Sequence, residues 1–118
     1  MDTDFAQGSL LLKALSDETR ARIMHILSCG ELCACDILLY FDLTQPTLSH
    51  HLAVLTVAGL IESRKKDKWT YYSISKSTVK FLTAFLDSIF LPSDECQCVK
   101  IRSPVADKEL MQIREAIQ

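Results

Sequence analysis

The feature that most constrains the fold is a change of hydrophobic period at Gly59. Residues 44–58 have helical spacing, with a threonine at the N-cap position, a proline in the first turn and a glycine after the last turn. Residues 60–64 and 69–74 instead alternate with a period of two and include aromatic and β-branched residues. The polar residues 65–68 lie between them. The pattern predicts a capped helix followed by a two-stranded hairpin.

Three further helices are predicted before this one. The first covers Phe5 to Leu15, and the second follows Ser16, the expected N-cap, and runs to about residue 28. The third is short, covers about residues 34–41, and is separated from the fourth by a brief turn. Two helices joined in this way form a helix-turn-helix, and the hairpin after it would be the wing.

A fifth helix is expected from Ser75 or Lys76 to about residue 91, where Pro92 ends it. Its apolar residues cover more of the circumference than one core face requires, which predicts a second packing surface, most simply another subunit. The predicted fold class is therefore mainly α with a small β-hairpin, a dimeric winged helix-turn-helix. We expect one DNA-binding and dimerisation domain over residues 1–92 and a cysteine-containing tail over residues 93–118, with a short helix near its end.

The composition limits the classes of function. A chain of 118 residues forms one core and is small for an enzyme with a deep pocket. No apolar run approaches the ~18 residues of a membrane span, and the first residues lack the basic flank of a signal peptide. We therefore expect a cytoplasmic protein that does not enter the membrane. In that compartment its five cysteines would stay reduced, which favours metal ligation over a disulfide framework.

Polar and basic side chains in the two predicted DNA-contacting elements define a candidate DNA interface. Side chains at the start of a recognition helix meet base edges, whereas basic side chains of a wing contact phosphates. The base-reading candidates are Gln45, Thr47, Ser49 and His50, and the phosphate-contacting candidates are Arg64, Lys65, Lys66 and Lys68. An ordinary amphipathic helix followed by a solvated lysine-rich turn would show part of this pattern. The combination of turn, capped helix and basic hairpin favours double-stranded DNA as the partner.

Cys33 and Cys35 are candidate metal ligands, since thiolates bind soft metal ions such as Cu(I), Zn(II) or Cd(II). Residues two apart on a regular helix point about 200° away from each other. Joint ligation by both thiols should therefore distort or unwind the start of the third helix. The tail residues Cys96 and Cys98 repeat the same spacing and form a second candidate dithiol.

With these segments in order, the chain resembles the ArsR/SmtB family of homodimeric winged-helix repressors that sense metals and arsenicals. The match covers roughly residues 8–91 and is carried by residues 15–20, 31–36, 45–52, 59–60 and 68–72, together with Leu55. The resemblance implies a dimer built from the first and fifth helices. It also implies a palindromic operator that is released when an inducer binds.

Within that family the Cys-x-Cys-Asp sequence of the third helix is similar to arsenite and antimonite sensors, and to cadmium and lead sensors. Arsenite sensors commonly have a third cysteine where this chain has Leu38. A third ligand for arsenic would then come from Cys29, Cys96, Cys98 or an external thiol. The metal-site candidates are Cys33, Cys35, Cys96 and Cys98.

The sequence thus predicts a repressor that leaves its operator on binding trivalent arsenic (arsenite, antimonite or methylarsenite), with As(III) or a related soft ion as inducer and no organic cofactor. A Cd(II), Pb(II) or Zn(II) sensor using the same cysteines is one alternative, and a thiol-based redox sensor is another. An enzyme is not expected, because no motif surrounds a cysteine–histidine pair.

Overall fold

The computed structural model describes residues 4–92. The chain divides into a unit that ends at Asp87 and a second unit that begins at Ser88, of which only residues 88–92 are described. The elements in chain order are α1 (Phe5–Leu15), α2 (Glu18–Leu27), β1 (Leu32–Cys33), α3 (Ala34–Leu38), α4 (Gln45–Ala58), β2 (Ile61–Lys66), β3 (Trp69–Ile74) and α5 (Lys76–Phe90).

The first two helices lie where the sequence predicts them, but the cap between them is wrong by one residue. Ser16 keeps helical backbone angles and ends α1, with its N–H donating to the Lys13 carbonyl. Asp17 has extended backbone angles and is the N-cap of α2. Its carboxylate accepts the N–H of Arg20 at 3.1 Å. The N-cap is the residue whose backbone leaves the helical region, and that residue is Asp17. Ser16 also has a side-chain oxygen, but its backbone is still helical.

The helix-turn-helix is formed by α3 and α4. Helix α3 ends at Leu38, three residues before the predicted end at Phe41. Tyr40 and Phe41 continue with N–H groups that donate to the carbonyls three residues earlier, which makes a tighter turn than an α-helix. Helix α4 begins at the predicted cap, Thr44, and ends at Gly59, whose φ of 88° is the left-handed conformation expected there.

The wing is confirmed, with one strand that the sequence did not reveal. Strands β2 and β3 pair antiparallel across a turn in which Asp67 has a φ of 57°. Strand β1 adds to the other edge of β3, with Leu32 opposite Tyr72 and Cys33 opposite Tyr71, so the sheet order is β1-β3-β2. The pair of cysteines is thereby attached to the sheet of the wing.

The core is built from the apolar faces of the helices and the base of the wing. Its fully buried side chains are Leu11, Ile23, Ile37, Leu48, Leu52, Leu55, Leu60 and Ile61. Because three leucines of α4 face this core, the opposite side of α4 is left at the surface. None of the helices in residues 4–92 combines the length and the apolar character needed to cross a membrane. The architecture is the winged helix-turn-helix that the sequence predicts.

Candidate thiol site and nucleic-acid interface

Cys33 and Cys35 lie at the junction of β1 and α3. Cys33 ends β1 and is also the N-cap of α3, with φ −81° and ψ 161°, whereas Cys35 is the second residue of the helix. Their Cα atoms are 5.4 Å apart and their sulfur atoms are joined in a disulfide. The expectation that joint engagement of both sulfurs must distort the helix is wrong, because Cys33 lies outside α3 in extended backbone.

The sequence predicts that these two cysteines stay reduced in the cytoplasm, whereas the structure joins their sulfur atoms in a disulfide. The turn from strand to helix brings the sulfurs into bonding contact without any further segment of the chain. Cys29 is exposed and free. The other two predicted ligands, Cys96 and Cys98, lie outside the described residues.

Asp36 joins the two sulfurs as a third donor that the predicted ligand set did not include. One ligand atom from each of Cys33, Cys35 and Asp36 lies within 4.8 Å of the others. Cys33 is buried, with 6% of its surface exposed, while Cys35 and Asp36 are exposed. Asp36 directly follows Cys35 in the sequence, and this adjacency could have identified it as a candidate ligand. The cluster is therefore open to solvent on one side and anchored in the core on the other.

A groove of about 390 Å³ connects this cluster to the candidate DNA-contacting elements. Cys33 and Cys35 lie on one wall, Gln45 and Ser49 of α4 on another, and residues 68–70 of the wing on a third. Any group bound to the sulfurs would thus lie next to two predicted base-reading side chains.

The predicted base-reading side chains are all on the exposed side of α4. Gln45, Thr47, Ser49 and His50 are exposed, as a DNA interface requires. Thr47 is partly engaged, because it accepts a hydrogen bond from the hydroxyl of the capping Thr44 at 2.8 Å. The side chains of this group that line the thiol groove are Gln45 and Ser49, whereas His50 lines a separate cavity between α1 and α4.

Arg20 is a structural residue that the sequence analysis did not single out. Its Nε donates to the Ala14 carbonyl at 2.6 Å, and its Nη1 lies 3.2 Å from Nδ1 of His51. A guanidinium has no acceptor, so Arg20 is the donor of this bond and Nδ1 of His51 the acceptor. The hydrogen bond from the Arg20 N–H holds the pKa of Asp17 below its usual 3.8. Arg20 therefore ties α1 and α2 to α4.

Arg64 differs from the three wing lysines in having a carboxylate partner. Its guanidinium donates to both oxygens of Glu31, at 2.6 and 2.8 Å, and lies 5.3 Å from the centre of the Tyr71 ring. This pairing lowers the pKa of Glu31 and raises the pKa of Arg64. Lys65, Lys66 and Lys68 are exposed and make no ion pair within residues 4–92.

Residues 17–63 match the model of the family described as bacterial regulatory protein, arsR family. The chain is 40% identical over 99 residues to an arsenical resistance operon repressor of Staphylococcus xylosus, covering 84% of this chain and 95% of that protein. It is 44% identical over 79 residues to a cadmium resistance transcriptional regulatory protein CadC homolog of Staphylococcus aureus, covering 64% of this chain and 65% of that protein.

The structure of HlyU from Vibrio cholerae matches with a TM-score of 0.64 at 32% identity, covering 76% of this chain and 98% of that one. Sequence and fold thus agree over the helix-turn-helix and the wing, and the two staphylococcal relatives are an operon repressor and a transcriptional regulatory protein. The chain belongs to the arsR family of bacterial regulatory proteins and is a DNA-binding transcriptional regulator rather than an enzyme.

Proposed function

We propose that the protein is a repressor that releases its operator when trivalent arsenic binds the reduced thiols of Cys33 and Cys35. The observation that carries the proposal is the shared groove, in which both cysteines lie beside Gln45 and Ser49 of α4. The similarity to an arsenical resistance operon repressor supports arsenic as the inducer. Such a regulator would act in the cytoplasm, where operator DNA and reduced thiols are found together.

The binding chemistry is exchange of oxygen for sulfur. Arsenite, As(OH)₃, forms one As–S bond with each thiol, and each thiol proton leaves with a hydroxide as water. Arsenic stays trivalent and no electrons are transferred. The third position on arsenic keeps its hydroxide or takes a further thiol. Cys96, Cys98 and external thiols are the candidates, since Cys29 lies outside the cluster of Cys33, Cys35 and Asp36. Antimonite and methylarsenite have the same two exchangeable positions.

Ligand binding would affect DNA binding through the elements that carry the sulfurs. Cys33 is fixed to β3 of the wing by its strand pairing, and Cys35 belongs to the helix that packs against α4. An arsenic atom bridging the sulfurs would adjust the junction of β1 and α3 and place its own third substituent in the groove. A coupling free energy of about 1–3 kcal/mol, which lowers operator affinity about 5- to 150-fold, is sufficient for induction.

The DNA complex would be formed by a dimer on a palindromic operator. Gln45 can form two hydrogen bonds with an adenine edge, and Ser49 can bond a base or a phosphate. Large apolar side chains on α1 and α5 are exposed in the single chain, including Phe5 at 63% and Phe81 at 36%. Exposed apolar area of this kind favours a subunit interface through these two helices.

The ligand specificity is tested by fluorescence anisotropy of the reduced protein on DNA from upstream of its own gene. Arsenite, antimonite, methylarsenite, Cd(II) and Zn(II) are titrated separately into the preformed complex. We expect release by the trivalent metalloids at concentrations well below those needed for either divalent ion. Release by Cd(II) or Zn(II) alone would overturn arsenic as the inducer.

A divalent-metal sensor is the second candidate, because Asp36 supplies an oxygen donor beside the two sulfurs. Carboxylate oxygens are ligands for Zn(II) and are poorly suited to a site selective for soft ions alone. The similarity to a cadmium resistance regulator points the same way. In the titration above, Asp36→Asn should weaken release by Cd(II) or Zn(II) and leave release by arsenite unchanged.

A redox sensor is favoured by one observation, the disulfide between Cys33 and Cys35. Peroxide would oxidise the two thiols to the disulfide and would itself be reduced to water. Release of DNA by peroxide in metal-free buffer, reversed by dithiothreitol, would establish this function. Unchanged DNA affinity of the disulfide form would exclude it.

A further inference from the structure

A second cavity lies between α1 and α4, and neither of the two cysteines lines it. Its volume is about 610 Å³, within the range of pockets that bind small molecules. The lining side chains that matter here are Leu10 and Lys13 of α1, Arg20 of α2, and His50, Ala53 and Val57 of α4. Apolar and basic side chains are both present, so their arrangement decides which class of ligand the cavity suits.

The basic side chains lie together at one end of this cavity. Arg20 marks that end, because its guanidinium contacts both the carbonyl of Ala14 and the ring of His51. Lys13 directly precedes Ala14, and His50 directly precedes His51. Two cations and one imidazole from three helices therefore meet where the end of α1 approaches the first half of α4.

The rest of the cavity is apolar. Leu10 lies one turn before Lys13 on α1, and Val57 lies two turns after His50 on α4, about 10 Å farther along the helix axis. Leu10 is 57% exposed and Val57 is 89% exposed. Removal of such apolar surface from water is favourable, so the apolar body of a ligand would bind along these side chains.

The basic end is free to bind an anion. Arg20 uses Nε and Nη1 in its two contacts, which leaves the N–H groups of Nη2 for a ligand. The carboxylate of Asp17 accepts the backbone N–H of Arg20, and Arg20 makes no ion pair within residues 4–92. None of the described residues that line the cavity is acidic. A guanidinium and an ammonium side by side suit a carboxylate.

We infer that this cavity binds an amphipathic carboxylate, with its head group at Lys13 and Arg20 and its apolar body between Leu10 and Val57, and that its occupancy weakens operator binding. The link to DNA is His50, an exposed candidate base reader that also lines the basic end. A bound carboxylate would engage this side chain and place a negative charge beside the DNA. The inference needs only a DNA-binding regulator and does not depend on arsenic.

The probe is octanoate, compared with two molecules that each lack one of its features. Octanamide has the same apolar chain without the charge, and butyrate has the charge with a shorter chain. Binding to the reduced full-length protein is measured by isothermal titration calorimetry at constant ionic strength, without any metal or metalloid. Operator affinity is measured by fluorescence anisotropy on DNA from upstream of the gene, with and without each molecule.

We expect octanoate to bind at least about tenfold more tightly than either octanamide or butyrate, since each lacks one of the two contributions. Lys13→Gln should weaken octanoate binding about threefold, whereas Lys76→Gln, which removes an exposed lysine outside the cavity, should not. Ala53→Trp should fill the cavity and abolish octanoate binding, and Ala53→Ser should preserve it.

Saturating octanoate should lower operator affinity at least about fivefold, and operator DNA should lower octanoate affinity by the same factor. Octanamide at the same concentration should leave operator affinity unchanged. The Ala53→Ser protein should respond to octanoate as the wild type does. The Ala53→Trp protein should retain its operator affinity when octanoate is added.

Equal binding of octanoate and octanamide, or octanoate binding that Ala53→Trp leaves intact, would overturn the inference. Octanoate binding without any change in operator affinity would overturn its regulatory part. If octanoate does not bind and Lys13→Gln reduces the salt dependence of operator binding, the basic end contacts DNA phosphates and the ligand site is refuted. Each of these outcomes leaves the arsenic proposal standing, because that proposal is tested at the two cysteines.

Discussion

Glu31 and Arg64 are joined by a bidentate ion pair that links the segment before β1 to strand β2 of the wing. The two N···O distances are 2.6 and 2.8 Å, and the residues are 33 positions apart in the sequence. Across the sheet, Cys33 pairs with Tyr71 and Tyr71 pairs with Arg64. The cysteine segment is therefore connected to the wing twice, through strand pairing and through this ion pair.

The first prediction concerns the pH dependence of this pair. The Arg64 guanidinium lowers the pKa of Glu31 from its usual 4.5, so Glu31 contributes stability that is present above pH 4.5 and lost as the pH falls through the lowered value. Glu31→Gln should lower the urea midpoint at neutral pH and low salt, by a small amount because the pair is exposed. The difference from wild type should vanish in acid well below pH 4.5. Glu62→Gln removes another exposed carboxylate and should have no such pH-dependent effect.

The second prediction separates the wing cations by their partners. Lys65 is exposed and available to phosphate, so Lys65→Gln should reduce the slope of log K against log salt by about 0.9 for each phosphate that Lys65 neutralises. Arg64→Gln should reduce this slope less, because Glu31 already engages the guanidinium. The slopes are measured by anisotropy on operator DNA over a range of salt concentrations. A larger reduction for Arg64→Gln than for Lys65→Gln would show that DNA displaces Glu31.

The third prediction concerns base reading by Gln45. Its side chain is exposed at the first residue of α4, where a recognition helix meets base edges. Gln45→Ala should lose about 1–3 kcal/mol of discrimination at one base position of each half-site. The measurement is binding to a set of operators with single base substitutions. Lys65→Gln is the control, since removal of a phosphate-binding cation should weaken binding to all operators alike. A uniform loss of affinity for Gln45→Ala would contradict its role as a base reader.

The fourth prediction concerns the packing of α1 on α5. Gly8 is buried within α1, and a Cβ atom placed there would collide with the ring of Phe85. Alanine in place of glycine inside a helix normally stabilises by about 0.8–1.0 kcal/mol. Here we expect the opposite sign, because the Phe85 ring is itself 5% exposed and packed in the core. Thermal melting of Gly8→Ala and of Ser9→Ala, an exposed neighbour on the same helix, tests this. A higher melting temperature for Gly8→Ala would show that the ring moves without cost.

The parts of the fold that depend on local signals could be predicted from the sequence. Helix α4 is specified by Thr44, Pro46 and Gly59, each of which acts within one turn of its own position. Strand β1 could not be predicted, because two residues have no period and pair only where β3 lies beside them. The N-cap of α2 is Asp17 and not Ser16, because Asp17 is the residue that leaves the helical conformation. Both residues are polar and adjacent, so the residue types alone do not decide between them.

The site was predictable to a similar extent. The sequence identified Cys33 and Cys35, but their mutual geometry follows from the conformation of Cys33, which ends a strand instead of beginning a helix. The contacts between Arg20 and His51 and between Glu31 and Arg64 join residues more than 30 positions apart. Such contacts depend on tertiary structure, and a single sequence carries no sign of them.

The central claim is that Cys33 and Cys35 carry the response to arsenic. It is tested most directly by titrating arsenite into operator complexes of the double variant Cys33→Ser, Cys35→Ser and of Cys29→Ser, with release followed by fluorescence anisotropy. Both proteins should bind the operator, but arsenite should release only the Cys29→Ser protein, because Cys29 is a free exposed thiol outside the cluster. Release of the double variant at the arsenite concentration that releases the wild type would contradict the account.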